Sequence, residues 1–314
     1  MKLARYVPHA LVVALAACGW QKTLDPAALD ALYAQPLAPP TQALRVFYIG
    51  HSLVNKDVPR MLDQLAGAGH EHRSQLGWGT PLKSHWEPDI PIKGFEVENA
   101  HPMYQDAHQA VESGKFDVLV LTEAVEIKDS IKYHDSPEYL RRWARAARTA
   151  NPQIRVYLYE VWHHLNDPKG FLERLDEDLG LYWEGVLLAK GLAHGDTGGP
   201  VCVIPAGQVL ARVIRAIDAR GGVDRLRSRE DLFQINEKGE RDMIHLSPLG
   251  NYLVALTHYA VLYHRPPPAQ PRTMQLADGT PWEPISQELA QLLSETVWSV
   301  VTTYPKTCVA QRSS

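Results

Sequence analysis

No H-E-x-x-H, C-x-x-C, G-x-G-x-x-G or phosphate-loop pattern occurs in this 314-residue chain. The spacings that metal, dinucleotide and nucleotide sites need are therefore missing, and neither a metal nor a cofactor is expected. The adjacent rings of His163 and His164 point apart rather than at one ion. His70 and His72 fall at the end of a helix-like stretch, where imidazoles favour the helix dipole. No basic run is present either, since 32 Lys and Arg stand against 36 Asp and Glu for a net charge of −4. Nothing here neutralises a row of phosphates, which excludes nucleic acid as a partner. No repeat of 20–50 residues is visible, and low complexity is confined to Pro266-Pro267-Pro268. The Gly-x-Ser-x-Gly elbow of the α/β-hydrolases is absent, which disfavours that fold. Cysteine is scarce. Cys202 lies in the apolar run Val201–Ile204 and reads as an inert buried thiol. An oxidising compartment allows it to pair with Cys308, but the sequence does not favour that bridge.

Long apolar runs are also lacking. Ala10 to Ala17, behind the basic Lys2 and Arg5, is too short to span a bilayer. The following Leu15-Ala16-Ala17-Cys18 resembles the lipobox of bacterial lipoproteins rather than an ordinary secretory signal. That resemblance implies a signal peptide over residues 1–17 and a lipidated Cys18, anchoring the chain to a membrane from the periplasmic or outer side. Loss of Lys2 and Arg5 makes the mature net charge about −6. Residues 18–42, rich in Ala, Pro and Leu, read as a tether with one short helix. Residues 43–303 form the expected domain, enough for one well-buried core, and 304–314 a C-terminal tail.

Four apolar runs have strand length and composition: Arg45–Ile49, Asp117–Leu121, Ile154–Val161 and Val201–Ile204, with a weaker one near Arg73–Gly77. Helical spacing marks Val58–Ala68, Glu138–Ala150, Gln208–Ala219 and Ile285–Val301. Ser247-Pro248 reads as a cap opening a helix to about Tyr263. Continuous apolar strands alternating with helices predict a parallel sheet covered on both faces. Thr80–His101 and Trp162–Gly180 break the alternation and are expected as long loops at strand C-terminal ends, where open α/β sheets bind ligands.

Chemistry concentrates at two places. Val46–Ile49 ends on Gly50-His51-Ser52, where the glycine lets the chain turn and lifts Ser52 above the sheet edge. Asp242-Met243-Ile244-His245 puts a carboxylate three residues before an imidazole, on what reads as a short polar loop. A nucleophile, a base and an acid to orient the base are the parts of acyl transfer through serine. Taken singly, Ser52 also reads as a helix cap and the Asp-x-x-His as surface.

Gly50-His51-Ser52-Leu53, Gly79 and Asp242-x-x-His245 together resemble the SGNH/GDSL hydrolase superfamily, over residues 43–265. The resemblance implies a flavodoxin-like α/β/α sandwich with sheet order 2-1-3-4-5. It implies Ser52 as nucleophile, His245 as base and Asp242 as its orienter, with the amides of Ser52 and Gly79 (Gly77 competing) toward an oxyanion. The chain departs from the pattern at His51, where Asp is usual, and at Thr122-Glu123, where an oxyanion Asn is usual. Thr122, or Asn166 from a loop, is the expected replacement donor. His51, Glu123, Trp86 and Trp162 are candidate substrate contacts, and Trp78 is a further aromatic beside a Gly-rich turn. The expected activity is hydrolysis of an O-acyl ester, favouring acetyl on envelope or extracellular carbohydrate. The alternatives are O-acetyl transfer on the same fold, or a glycan-binding module in a degenerate cleft.

Overall fold

The computed structural model describes residues 22–236 and 238–311. Five parallel strands form the central sheet: β1 (Arg45–His51), β2 (Glu71–Gly77), β3 (Val118–Leu121), β4 (Arg155–Glu160) and β5 (Cys202–Pro205). Their order is β2-β1-β3-β4-β5. This is the flavodoxin-like α/β/α arrangement, with its reversal of direction between β1 and β3. Every residue of β3 and β5 is buried, as is β1 after Arg45. Strands covered on both faces have no polar side to alternate with, which is why they read as continuous apolar runs.

Helices Asp57–Ala66, Ala206–Arg220, Pro248–Tyr263 and Gln287–Thr303 pack together as one layer. Helices Leu82–Trp86, Ala107–Glu112 and Ser136–Ala150, with the π-helix Leu179–Leu188, associate as another. Helix Asp57–Ala66 buries Val58, Met61, Leu62 and Leu65 at helical spacing. Each such side chain contributes roughly 1.5–3 kcal/mol when fully buried. Helix Pro248–Tyr263 begins as its Ser-Pro signal predicts, with the Ser247 hydroxyl accepting from the Gly250 amide.

Four expectations change. Thr80–His101 is not one long loop, because Leu82–Trp86 and Phe95–Glu98 are helical, and neither is Trp162–Gly180, because Phe171–Asp178 is helical and runs into the π-helix. Asp242–His245 is not a loop either. It lies in strand β7 (Arg241–Leu246), paired antiparallel with β6 (Phe233–Ile235). Cys202 is not a free thiol: it is bonded to Cys308, with the Cα atoms 5.7 Å apart.

The bridge draws the described N-terminal and C-terminal segments onto the domain. The Leu37 amide donates to the Cys308 carbonyl, and the Tyr33 hydroxyl to the Val201 carbonyl. The Lys306 ammonium sits between Asp30 at 2.7 Å and Glu184 at 2.9 Å. The described part of the expected tether is thus packed against the fold from Leu24 onward, and the tail is packed to Val309. Cys18 and the expected signal peptide lie outside the described residues.

Candidate active site

The turn that carries Ser52 is built from below. An added Cβ at Gly50 would collide with the Thr122 methyl group, so only glycine lets β1 end this close to β3. His51 is fully buried; its Nε2–H donates to the Glu123 carbonyl at 2.7 Å and its Nδ1 accepts from the Leu53 amide. Burial pushes this imidazole down to about 4 against the opposing backbone hydrogen bond, so it is neutral. His85 supports the same turn from beneath, with Nε2 donating to the Gly50 carbonyl at 2.8 Å. With Gly50 and His51 fixed, Ser52 is left half-buried at the C-terminal edge of the sheet.

His245 arrives on the hairpin. His245 Nε2 is 3.0 Å from Ser52 Oγ, and His245 Nδ1 is 2.9 Å from Asp242 Oδ2. Asp242 Oδ1 accepts the amides of Ile244 and His245, while Oδ2 also takes Gln234 Nε2. Burial acts to raise Asp242, but these donors outweigh it and hold the carboxyl below the usual carboxylate range. An ionised Asp242 fixes the imidazole proton on Nδ1 and leaves Nε2 to accept from the serine.

The segment after β4 clamps the hairpin. Trp162 is buried and donates from Nε1 to the Ile244 carbonyl at 2.7 Å, and the Leu165 amide donates to the Met243 carbonyl. Trp162 thus supports the backbone next to His245 and does not line the cavity at Ser52.

Other expected contacts are likewise corrected. Thr122 is fully buried and spends its hydroxyl proton on the Tyr159 carbonyl at 2.8 Å, so it offers no oxyanion donor. Glu123 is buried too, and its carboxyl is pushed up to about 7 by burial, against the local hydrogen bonds. It does not line the cavity at Ser52, and neither does buried His51. Trp86 packs edge-on against Trp143 and His108 and does not line the cavity at Ser52. Asn166 is exposed and does not line the cavity at Ser52.

That cavity has a volume of about 690 Å³ and brings together Ser52, His245, Gly79, Asn55, His164 and Trp78. Gly79 has φ +52°, and its amide has no partner among the described residues. Trp78 is half exposed, and its Nε1 donates to Glu98 at 2.7 Å. The Gly77-Trp78-Gly79 sequence was the available signal for this residue, since an aromatic between two glycines has little neighbouring side chain to bury it. Among the described residues no group of three or more His, Cys, Asp or Glu is arranged to hold a metal ion. No described helix is long and apolar enough to cross a membrane.

Buried titratable groups make stability depend on pH in both directions. His51, His70, His85, His258 and His264 are each pushed down to about 4 by burial. Glu123 and Glu160 are pushed up by burial to about 7 and about 8. Between about pH 4 and 6.5 the unfolded chain binds more protons at the five imidazoles, so stability falls as the medium is acidified. Above about pH 4.5 the folded chain holds extra protons on the two carboxyls, and that contribution is lost as pH rises through 7 to 8. Five sites outweigh two where the windows overlap. Calorimetry should find the highest Tm at about pH 6.5–7, and a Tm still climbing at pH 9 would refute this account.

No protein family matches the sequence, and no curated protein matches it. Among the solved structures that are weakly similar are two named for a lipase or an esterase. One is a protein of Parabacteroides merdae ATCC 43184 named for a likeness to GDSL lipases: 13% identity, TM-score 0.39, covering 70% of this chain and 96% of that one. The other is a carbohydrate esterase family 3 protein from Talaromyces cellulolyticus: 14% identity, TM-score 0.31, covering 68% and 93%.

Proposed function

We propose that this chain is a serine hydrolase of the SGNH/GDSL type that cleaves O-acyl esters, with acetyl on a carbohydrate as the favoured substrate. The observation that carries the reading is the unbroken chain Ser52 Oγ–His245 Nε2 and His245 Nδ1–Asp242, assembled from residues 193 positions apart. A helix cap or a surface Asp-x-x-His has no reason to meet in that order.

Ser52 Oγ attacks the ester carbonyl carbon as its proton passes to His245 Nε2. The oxyanion develops toward the amides of Gly79 and Ser52. Collapse breaks the bond to the alcohol oxygen, which leaves with the proton from His245. Water then attacks the acyl-enzyme, giving its proton to Nε2, and the carboxylic acid departs as Ser52 is reprotonated. Asp242 stays ionised throughout. The cavity is lined by the polar Asn55, Lys56, Glu98, His164 and Gln234 beside Trp78, Val125 and Ile244, a mixed lining that supports a small acyl group on a polar alcohol.

We also place the chain at the cell envelope, lipid-anchored through Cys18 and facing an oxidising compartment. The Cys202–Cys308 bridge supports that setting, since such bonds persist outside the reducing cytosol.

One observation favours a second reading. With Thr122 turned to Tyr159, the site has no side-chain oxyanion donor in that position. Loss of one such donor costs about 10²–10³ in rate, and a glycan-binding module would need none. A serine-reactive phosphonate separates the two. Peptide mapping of the soluble chain should find label on Ser52, and none in His245→Ala. A folded protein that takes no label would leave the binding module.

A further inference from the structure

A second cavity of about 620 Å³ adjoins the one at Ser52, and Asn55 and Lys56 line both. The opposite walls also run on from one to the next. Glu98 borders the catalytic cavity, and Ala100–Met103 border its neighbour. Lys56 Nζ donates to the Val97 carbonyl at 3.2 Å, which ties the two walls together at the junction. An acetyl group fills only a small part of such a cleft, so the rest of the space serves the alcohol half of the ester.

The lining of the second cavity narrows what that alcohol is. Arg60 and Lys56 stand beside Asp57 and Asp278. Asp57 accepts the Ala277 amide at 2.8 Å, and the Arg60 guanidinium makes a single hydrogen bond among the described residues, to Gln275 Oε1. Asp63 is already engaged by His72. Cations alternating with carboxylates disfavour a phosphate or another anionic headgroup, which would meet like charge. An alkyl chain would strand the same charges without hydrogen bonds. A neutral chain of hydroxyls, donating to carboxylates and accepting from Arg60 and Lys56, satisfies both signs. The exposed indole of Trp78 at the catalytic cavity offers a flat apolar face to a sugar ring.

We propose that the cavity between Arg60 and Ala277 is an alcohol-side subsite, holding the neighbouring sugar units of a neutral oligosaccharide whose O-acyl group lies at Ser52. This rests on the ester-hydrolase reading, so its test needs a small ester as reference. The probes are p-nitrophenyl acetate and acetylated xylo- and gluco-oligosaccharides of one to four sugar units. The full chain should show kcat/KM rising by about 10-fold or more with sugar number, through KM. Ala277→Trp, which fills the cavity from an exposed position, should remove that rise. Arg60→Ala should reduce it, and unchanged thermal unfolding of both variants would exclude misfolding. A kcat/KM independent of sugar number, or a rise that survives Ala277→Trp, would overturn the proposal. Should no ester be cleaved at all, the hydrolase reading fails separately. Calorimetric titration with the unacetylated tetrasaccharides then decides the subsite: binding lost in Ala277→Trp upholds it, and no binding to the unaltered chain refutes it.

Discussion

Asp242→Asn is expected to lower kcat on p-nitrophenyl acetate by about 10⁴-fold with KM little changed. The reason lies in how the two carboxylate oxygens are used. Oδ1 accepts two amides, from Ile244 and His245, and Oδ2 accepts His245 Nδ1–H. An asparagine keeps its oxygen on the two amides and turns its NH₂ toward the imidazole. Nδ1 must then accept, so the ring proton moves to Nε2 and faces Ser52 Oγ. The geometry survives, but the base no longer has a lone pair for the serine proton. Nitrogen NMR of His245 should show the proton on Nδ1 in the unaltered chain and on Nε2 in the variant. A variant within tenfold of the parent, with the tautomer shifted, would remove Asp242 from the mechanism.

Separating Cys202 from Cys308 should cost about 3–5 kcal/mol, in line with the closure of a loop of about 100 residues. The bond spans 106 positions and joins edge strand β5 to the turn after the last helix. Its loss also loosens what hangs on Cys308. The Leu37 amide bonds to its carbonyl, and the neighbouring Lys306 pairs with Asp30 and Glu184. The N-terminal segment therefore depends on the same bridge. Cys308→Ser, or reduction of the unaltered chain, should lower Tm by on the order of 5–10 °C. A thermal midpoint unmoved by reduction, with two free thiols titrated, would show that the bond adds nothing.

The amino-acid sequence by itself determined the layout of β1, β3, β4 and β5. A strand buried on both faces must be apolar along its length, and that pattern is local. It also determined where Ser52 and the Asp242–His245 pair fall, because a glycine after a strand and an i, i+3 acid and base are local signals. β2 was only faint, since its sequence Glu71–Gly77 is polar and its burial comes from long loops laid over a sheet edge. Tertiary structure alone decided what depends on distant partners. Thr122 faces Tyr159 and not the oxyanion, because β4 places a carbonyl beside its hydroxyl. Trp162 lies beneath the hairpin and not in the cavity, because the Ile244 carbonyl, 82 positions on, needs a donor. Cys202 is bonded because the chain end returns to β5. Direction of a side chain and identity of its partner are set by which elements meet, and no window of sequence contains both.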